Sequence, residues 1–322
     1  MRLIRVELHR FRARRAIALM LLGVTLLVTW MTLDTIWQTR PVSDSEIAVA
    51  RQQAAQDEQF LREEYDRCAE DPASYVGFPE ATADDCPPAE SDYRWYLSRS
   101  PLSLEEELRD TGKAAVVVLA GIAVIIGATF AGADWATGSL GNQLIFRPRR
   151  LQVWAAKAVA VAVGTVVLAA LVIAAQWGAY LAVSELRDVG HAPGTVSDIV
   201  TTSLRGLALV AGGAVGGLAL TMLLRSTVGT LAVLFFYTVA GEALVAIFPV
   251  QKVSQWSPSN NVFAWLDDGI EVYDETITCG PRDMMCSSTY QLSLTHGAWY
   301  LGVLLLLTVA VSIVLFQRRD VP

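Results

Sequence analysis

Residues Gly132–Lys157 read GADWATGSLGNQLIFRPRRLQVWAAK and lie between two long apolar runs. Proline disfavours helical geometry in the residue before it, so Pro148 predicts two helical pieces that break at Arg147. The stretch therefore predicts a cytoplasmic loop, with a short helix along the membrane face and then a turn back into the bilayer. An ordinary basic membrane-surface loop is the alternative. Four cations accompany the one acid of this stretch, Asp134; they are Arg147, Arg149, Arg150 and Lys157.

The composition of the chain excludes an ordinary soluble domain. Of its 322 residues, 53% are hydrophobic and 18% are charged, and the mean hydropathy is +0.40. The apolar residues are also concentrated in blocks, as in membrane proteins. The sequence therefore predicts an integral membrane protein.

Six apolar segments are long enough to cross a bilayer. A hydrocarbon core of about 30 Å requires roughly 20 apolar residues in a helix, since lipid offers the backbone no hydrogen-bond partner. A secretory signal peptide is the alternative for the first segment, but no small-residue cleavage site follows Leu33. The fifth segment alone contains an ionisable group, Glu242. The segments are Ala16–Leu33, Ala114–Ala133, Ala158–Ser184, Gly206–Leu224, Ser226–Phe248 and Gly297–Gln317.

The positions of the arginines predict how these segments are oriented. Basic residues lie before the first segment, between the second and third, at Arg225 between the fourth and fifth, and at Arg318 and Arg319 after the sixth. All four places fall on one side if the helices alternate, so both termini are predicted to be cytoplasmic. The segments assigned to the outside are acidic, with a net charge of −11 for residues 38–112 and −4 for residues 249–296.

The predicted fold class is an all-α integral membrane protein with six transmembrane helices, cytoplasmic N and C termini, an amphipathic entry helix and a folded extracellular loop. The predicted divisions are an interfacial helix (1–15), a first span (16–37), a large extracellular cap (38–112), a second span (113–133), a cytoplasmic helix and loop (134–157), a third span (158–184), an extracellular link (185–205), a fourth span (206–224), a fifth span (226–248), an extracellular loop with a re-entrant segment (249–296), a sixth span (297–317) and a cytoplasmic tail (318–322).

Two segments outside the spans carry helical patterns. In Met1–Arg15, apolar residues recur at helical spacing among arginines, which predicts an amphipathic helix on the inner leaflet in contact with anionic lipid. A basic tail that only sets the topology is the alternative. Asp44–Cys68 shows a narrow apolar stripe typical of a packed helix. The aromatic residues of Pro72–Ser100 favour a small folded cap over a disordered loop.

The later spans raise two further expectations. Glycines of the fourth span form small-xxx-small faces at Gly212/Gly216 and Gly213/Gly217, which favour close packing within the chain over a dimer contact. Glu242 is a functional candidate because an acid within a span is costly. We expect a structural role in gating, with an outer polar contact and a proton relay as alternatives. Residues Gln255–Leu266 predict a partial re-entry into the membrane.

All four cysteines lie in the segments placed outside, where an oxidising compartment favours disulfides. One bond within each loop is the simplest pairing: Cys68 with Cys86, and Cys279 with Cys286. A disulfide between the two loops is an alternative. Metal binding is a weaker one, because no histidine lies nearby in sequence and neither spacing is that of a zinc site.

The sequence contains no motif of a familiar catalytic site. It lacks a phosphate-binding loop, a dinucleotide fingerprint, a zinc-protease motif and a nucleophile elbow. We therefore predict a protein that is not an enzyme and that binds no metal, cofactor or nucleic acid. Arginine outnumbers lysine 22 to 3, which is typical of a GC-rich bacterial genome, so the expected location is a bacterial plasma membrane.

The chain resembles the permease subunits of ABC-2 type transporters. The resemblance lies in the six spans with an amphipathic entry helix and in the segment after the second span, which carries an acid-x-x-x-Gly-Ser-Leu motif followed by Arg-Pro-Arg-Arg and Lys157. It covers most of the chain apart from residues 38–112. It implies an exporter of drug, lipid or peptide, in which two permease subunits, identical or homologous, form the pathway and separate ATPase subunits hold ATP and Mg²⁺.

The resemblance also implies a coupling helix at about Asp134–Ile145 that seats in a cleft of the ATPase. Asp134 is expected near a helix start, and Leu140, Leu144, Ile145 and Phe146 are expected to offer an apolar docking surface. The implied coupling residues are Asp134, Trp135, Gly138, Ser139, Leu140, Leu144, Arg147, Arg149 and Arg150.

Two functions of other classes are alternatives to a permease. One is an integral membrane enzyme that uses Glu242 and His296 near the outer face. The other is a ligand-sensing membrane protein that acts through its extracellular cap. Copurification of an ATPase would separate the permease from both.

Overall fold

The computed structural model of the chain describes residues 2–87, 91–247, 250–274, 276 and 288–318. This part of the chain is almost entirely helical, with short connections. The helices are α1 (Arg2–Ala13), α2 (Arg15–Gln38), α3 (Asp44–Glu70), α4 (Pro72–Val76), α5 (Leu104–Arg109), α6 (Thr111–Ala136), α7 (Ser139–Phe146), α8 (Arg150–Leu186), α9 (Thr195–Leu224), α10 (Thr227–Ile247), α11 (Pro258–Leu266) and α12 (Leu294–Arg318). Short 3₁₀ turns cover Ala83–Asp85, Tyr93–Tyr96 and Val253–Trp256.

Among the described residues, five helical stretches are long and apolar enough to cross a membrane. Four of them are the single helices α2, α8, α9 and α12. The fifth, Leu104–Ala136, consists of α5 and α6 together. The chain thus has the architecture of a nearly all-α, multi-pass membrane protein. The apolar stretch Thr227–Ala243 of α10 is shorter, and the end predicted for the fifth span, Phe248, lies outside the described residues.

Two helices are longer than the spans predicted from hydropathy. Helix α8 begins at Arg150 rather than Ala158, and α9 begins at Thr195 rather than Gly206. Most of the link predicted at 185–205 is therefore helical. Hydropathy marks the apolar part of a helix, whereas α9 starts among polar residues after Gly194, whose φ of 102° suits the turn before it.

The chain folds into two compact units. The described residues of Met1–Thr32, Leu104–Leu181 and His191–Pro322 form the first unit, and those of Leu33–Ser103 and Ala182–Gly190 form the second. Helices α2 and α8 each contribute residues to both.

In the first unit, α6 and α9 pack backbone against backbone. A β-carbon at Gly217 would lie 2.1 Å from the carbonyl oxygen of Val124, and one at Gly127 would lie 2.0 Å from that of Ala214. No side chain fits in these spaces, so glycine is what allows the two helices to approach so closely.

The second glycine face of α9 meets a different helix. β-Carbons at Gly212 and Gly216 would lie 3.5 and 3.6 Å from the side chain of Leu305 in α12. The two predicted small-xxx-small faces therefore both contact helices of the same chain, as the sequence favoured.

The second unit contains α3, α4 and the turns that follow. Ser43 and Glu46 cap the start of α3 reciprocally, and this helix covers the predicted Asp44–Cys68. The Tyr96 hydroxyl donates a hydrogen bond to the carboxylate of Asp57 in α3, at 2.7 Å. The segment Pro72–Ser100 thus contains short helical turns in its described part, one of which packs on α3.

A disulfide joins Cys68 at the end of α3 to Cys86. Both cysteines are buried, and the bond confirms the pairing predicted for this loop. Cys279 and Cys286, the other predicted pair, lie outside the described residues.

A β-hairpin corrects the prediction of an all-α chain. Strands β1 (Gly269–Tyr273) and β2 (Thr289–Ser293) pair antiparallel, with Ile270 opposite Leu292 and Val272 opposite Tyr290. Val272 and Leu292 pack with Ala264 of α11. The alternation of apolar and polar residues in both strands carried this signal, but the strands are too short to stand out beside the spans.

Candidate functional site

Helix α1 and the residue that follows it direct three charged side chains into the first unit. Glu7, Arg10 and Arg14 are spaced three and four residues apart, so they share one face with Phe11. Phe11 is buried and lies edge-on to Phe130 of α6, with 5.8 Å between ring centroids. Its ring also packs on Gly164 of α8, where a larger residue would clash with it. This packing fixes the face of α1 that carries the charges.

The carboxylate of Asp134, in the last turn of α6, is the centre of these charges. It is fully buried and accepts hydrogen bonds from Arg14 Nη2 at 2.6 Å, Arg10 Nη2 at 2.8 Å and Lys157 Nζ of α8. The Lys157 ammonium is also fully buried, and it contacts Glu7 Oε2 at 3.0 Å. Two buried carboxylates and three cations therefore meet between α1, α6 and α8.

Helix α7 joins this cluster through two polar side chains. Ser139 Oγ donates to Asp134 Oδ1 at 2.8 Å, and Gln143 Nε2 donates to Glu7 Oε1 at 2.9 Å. A buried charge network is stable only when its members are paired and hydrogen-bonded, so this network holds α7 in a defined position. We call these seven residues the polar network: Glu7, Arg10, Arg14, Asp134, Ser139, Gln143 and Lys157.

The position of Asp134 corrects the expectation that it lies near a helix start. It lies at the C-terminal end of α6, where the helix dipole disfavours a negative charge. The three cations around it, and not a helix dipole, stabilise the carboxylate. Asp134 is therefore an internal residue, and α7 begins after it at Ser139.

The apolar residues of α7 are divided between the interior and the surface. Leu140 is 1% exposed, so its predicted place in a docking surface is wrong in this conformation. Leu144 is half-buried, whereas Ile145 and Phe146 are 76% and 83% exposed. Because α7 has only two turns, its first turn packs inward while its last residues project outward.

The remaining residues predicted for coupling surround α7. Gly138 adopts a left-handed conformation, with φ of 65°, that turns the chain from α6 into α7. Arg147 and Arg149 are exposed at the predicted break before α8. The guanidinium of Arg225, the residue that follows α9, lies 4.8 Å from the centre of the Trp135 ring. Arg150 Nη1 donates to the carbonyl of Phe316 near the end of α12, at 3.1 Å.

A second polar group lies around α11, which we call the α11 cluster: Lys113, Arg205, Glu242, Ser257, Ser259, Asn261, Asp267, Asp268 and His296. Glu242 of α10 accepts hydrogen bonds from Ser257 Oγ at 2.9 Å and from Ser259 N and Oγ at 3.0 and 2.8 Å. Its carboxylate thus binds the start of α11.

Ion pairs hold the other end of α11. Lys113 Nζ, at the start of α6, contacts Asp267 at 2.7 Å, and Arg205 Nη2 of α9 contacts Asp268 at 2.9 Å. Lys113 and Asp134 are 21 residues apart on α6, or about 31 Å at 1.5 Å per residue. The α11 cluster and the polar network therefore lie at opposite ends of one membrane-length helix.

His296 and Glu242 do not bind each other in the α11 cluster. His296 Nδ1 lies 3.1 Å from Asn261 Oδ1, and the Asn261 amide donates to backbone carbonyls of Gln255 and Ser257. Close by, a hydrogen bond from the Thr276 hydroxyl holds the pKa of Asp274 below its ordinary value, with backbone N–H groups adding to the effect. Among the described residues, no group of three or more metal-ligating side chains is placed to hold a metal ion.

Of the seven residues of the polar network, the sequence predicts only Asp134 and Ser139 as site residues. Lys157 ends the predicted cytoplasmic loop, yet apolar residues surround it in sequence, which is typical of an intramembrane charge. Glu7 is an acid among six arginines of the first fifteen residues, on the face shared with Phe11. The sequence thus contains a signal for each of these two residues. It contains no signal for the contact between positions 7, 134 and 157.

No family model, curated protein or solved structure matches this chain. The fold and the apolar helices define the class as a helical, multi-pass membrane protein.

Proposed function

We propose that this chain is the permease subunit of an ATP-binding-cassette exporter of the ABC-2 type. Two such subunits, identical or homologous, form the pathway for an amphipathic drug, lipid or peptide. The chain hydrolyses nothing itself, because ATP and Mg²⁺ bind to separate ATPase subunits.

The observation that carries the proposal is the attachment of α7 to the membrane-length helices. Ser139 and Gln143 bind α7 to a buried network that also contains side chains of α1, α6 and α8. A short helix fixed in this way cannot move without moving α6 and α8. This is the property that a coupling helix needs if the movement of an ATPase is to reach the pathway.

The outward end of α7 supports the same role. Ile145 and Phe146 are exposed beside the cations Arg147 and Arg149, so an apolar tip is flanked by positive charge. Exposed aromatic and aliphatic residues beside arginine are typical of protein contacts. We assign this tip to a cleft of the ATPase that has an apolar floor and an acidic rim.

The proposed topology has six spans, with α10 as the sixth apolar helix. Arg225, the Arg150 contact with the end of α12, and the polar network all lie at the α7 end of the helices. Positive charge at this end supports cytoplasmic termini in a bacterial plasma membrane, with the exposed arginines of α1 against anionic lipid. The acidic cap and the α11 cluster then lie outside, where Glu242 stabilises α11 as part of an outer gate.

The test is copurification of the tagged chain, expressed with its neighbouring genes, scored for an ATPase and for ATP turnover. Ile145→Arg and Phe146→Arg place a charge in the proposed contact, and we expect ATPase retention to fall at least about tenfold. Phe60→Arg, at a position 60% exposed in the second unit, is the matched control and should retain the ATPase. A chain that purifies well without any ATPase would contradict the proposal.

A further inference from the structure

Gln176 of α8 is a buried polar side chain within a membrane-length helix. It is 3% exposed, and neither its amide oxygen nor its amide nitrogen has a hydrogen-bond partner among the described residues. An unpartnered buried amide destabilises a fold, and more so between helices in lipid. Polar groups of this kind inside a membrane bundle mark substrate pathways.

Two aromatic side chains lie next to Gln176. Trp177 is 6% exposed and Tyr180 is fully buried, and their rings meet edge-on at 5.7 Å between centroids. Residues 176 and 180 are one helical turn apart, so the Gln176 amide and the Tyr180 ring share a face of α8, and Trp177 borders it through its contact with Tyr180.

Glu107, near the end of α5, lies beside the Trp177 indole through its backbone. A β-carbon at Gly112 would lie 2.7 Å from Trp177 Cζ2 and 3.0 Å from the carbonyl oxygen of Glu107, so the indole and the backbone of Glu107 meet at one point. Glu107 Oε2 is buried and has no hydrogen-bond partner among the described residues. The nearby cation Lys113 is paired with Asp267.

We propose that Glu107, Gln176, Trp177 and Tyr180 form a subsite for an organic cation, namely the ammonium or guanidinium group of an amphipathic molecule. The carboxylate supplies a counter-charge, the amide oxygen accepts an N–H, and the ring faces attract a cation. It rests on the proposed export function and names the chemical class of the exported molecule.

The acidic surroundings support the choice of a cation over an anion. Residues 104–113 carry four acids and two bases. Such a field raises the local concentration of cations before they bind.

The experiment measures binding of dodecylammonium, and of uncharged dodecanol as its matched probe, to the full chain in nanodiscs. We expect the native chain to bind the ammonium at least about tenfold more tightly than the alcohol, the scale of one charge-assisted hydrogen bond. Glu107→Gln and Gln176→Leu should remove this difference. Glu271→Gln is the control, since it removes an exposed carboxylate of β1, outside this acidic stretch, and should leave binding unchanged.

A second substitution distinguishes binding from loss of folding. Gln176→Glu adds a carboxylate to the subsite and should tighten ammonium binding without affecting the alcohol. If Gln176→Leu raises the thermal stability and leaves both affinities unchanged, Gln176 binds only internal water and the inference is overturned. Equal affinities of the native chain for the two probes would also overturn it. Because no ATPase is present in this assay, failure of the exporter proposal would appear in the copurification and not here.

Discussion

The two ends of α6 are held by different chemistry. At the Asp134 end, three cations and two fully buried carboxylates join four segments of the chain in one network. At the Lys113 end, the ion pairs are partly exposed, and the most deeply buried polar groups, Ser257 and Asn261, are neutral.

The difference indicates which end is built to stay together. Separating buried ion pairs leaves charges without partners in a medium that solvates them poorly, whereas exposed pairs exchange their partner for water. The polar network should therefore hold its helices together more firmly than the α11 cluster holds α11. An exporter that is driven from the α7 end and opens at the α11 end would need this arrangement.

Lys157→Met should have the largest effect, because it breaks the network at the cation that contacts both carboxylates. Removing one member of a buried ion pair leaves an uncompensated charge, so we expect a loss of about 3–5 kcal/mol in the free energy of unfolding. Unfolding by SDS titration in mixed micelles measures it.

A double substitution provides the control for the network. Glu7→Gln together with Lys157→Met removes one charge of each sign and should be less destabilising than the sum of the two single changes. If the two losses of unfolding free energy simply add, or if Lys157→Met costs under about 1 kcal/mol, the polar network does not hold these helices together.

Glu242→Gln tests the other end of the comparison. The amide keeps one acceptor for Ser257 and Ser259 but loses the charge, so we expect a loss of about 1–2 kcal/mol in the same assay. Glu271→Gln, at an exposed position of β1, should be neutral. A loss as large as that of Lys157→Met would remove the contrast between the two ends.

Lys113→Met should have a smaller effect. The side chains of Lys113 and Asp267 are 11% and 26% exposed, so water reaches the carboxylate when the ammonium is removed. We expect a loss of about 1 kcal/mol, and Arg205→Met, whose partner Asp268 is 72% exposed, should cost less still. The reverse order would show that burial does not decide these energies.

The smallest effect is local and depends on pH. Hydrogen bonds from Thr276 lower the pKa of Asp274 in the folded state. The ionised Asp274 therefore stabilises the fold fully above the pKa of an unfolded aspartate, about 3.9. This stabilisation is lost as the pH falls through the lower pKa of the folded state. Amide exchange at Lys252, which donates to Asp274, should become faster than its intrinsic rate predicts below about pH 4. Asp274→Asn should abolish this pH dependence, and a pH dependence unchanged in that variant would contradict the assignment.

Much of the fold could be predicted because it depends on local patterns. Apolar length marks the long helices, the placement of Cys68 and Cys86 in one loop predicts their bond, and Pro148 marks the break between α7 and α8. The hairpin was missed because five-residue strands carry a weak signal beside long helices.

The candidate site was harder to predict because its partners are far apart in sequence. The contacts of Asp134 with Arg10 and Arg14 span 124 and 120 residues, and no local pattern specifies such a contact. The orientation of α7 was hidden for a similar reason. Leu140 and Ile145 are equally apolar, and only packing against the long helices buries one and exposes the other.

A photo-crosslink in living cells would show whether the tip of α7 docks on an ATPase. A photoreactive phenylalanine analogue at position 145 should form an adduct whose mass spectrum identifies a nucleotide-binding subunit, while the same residue at position 60 should not. If position 145 captures only lipid, or if both positions capture the same protein, the coupling role of α7 is contradicted.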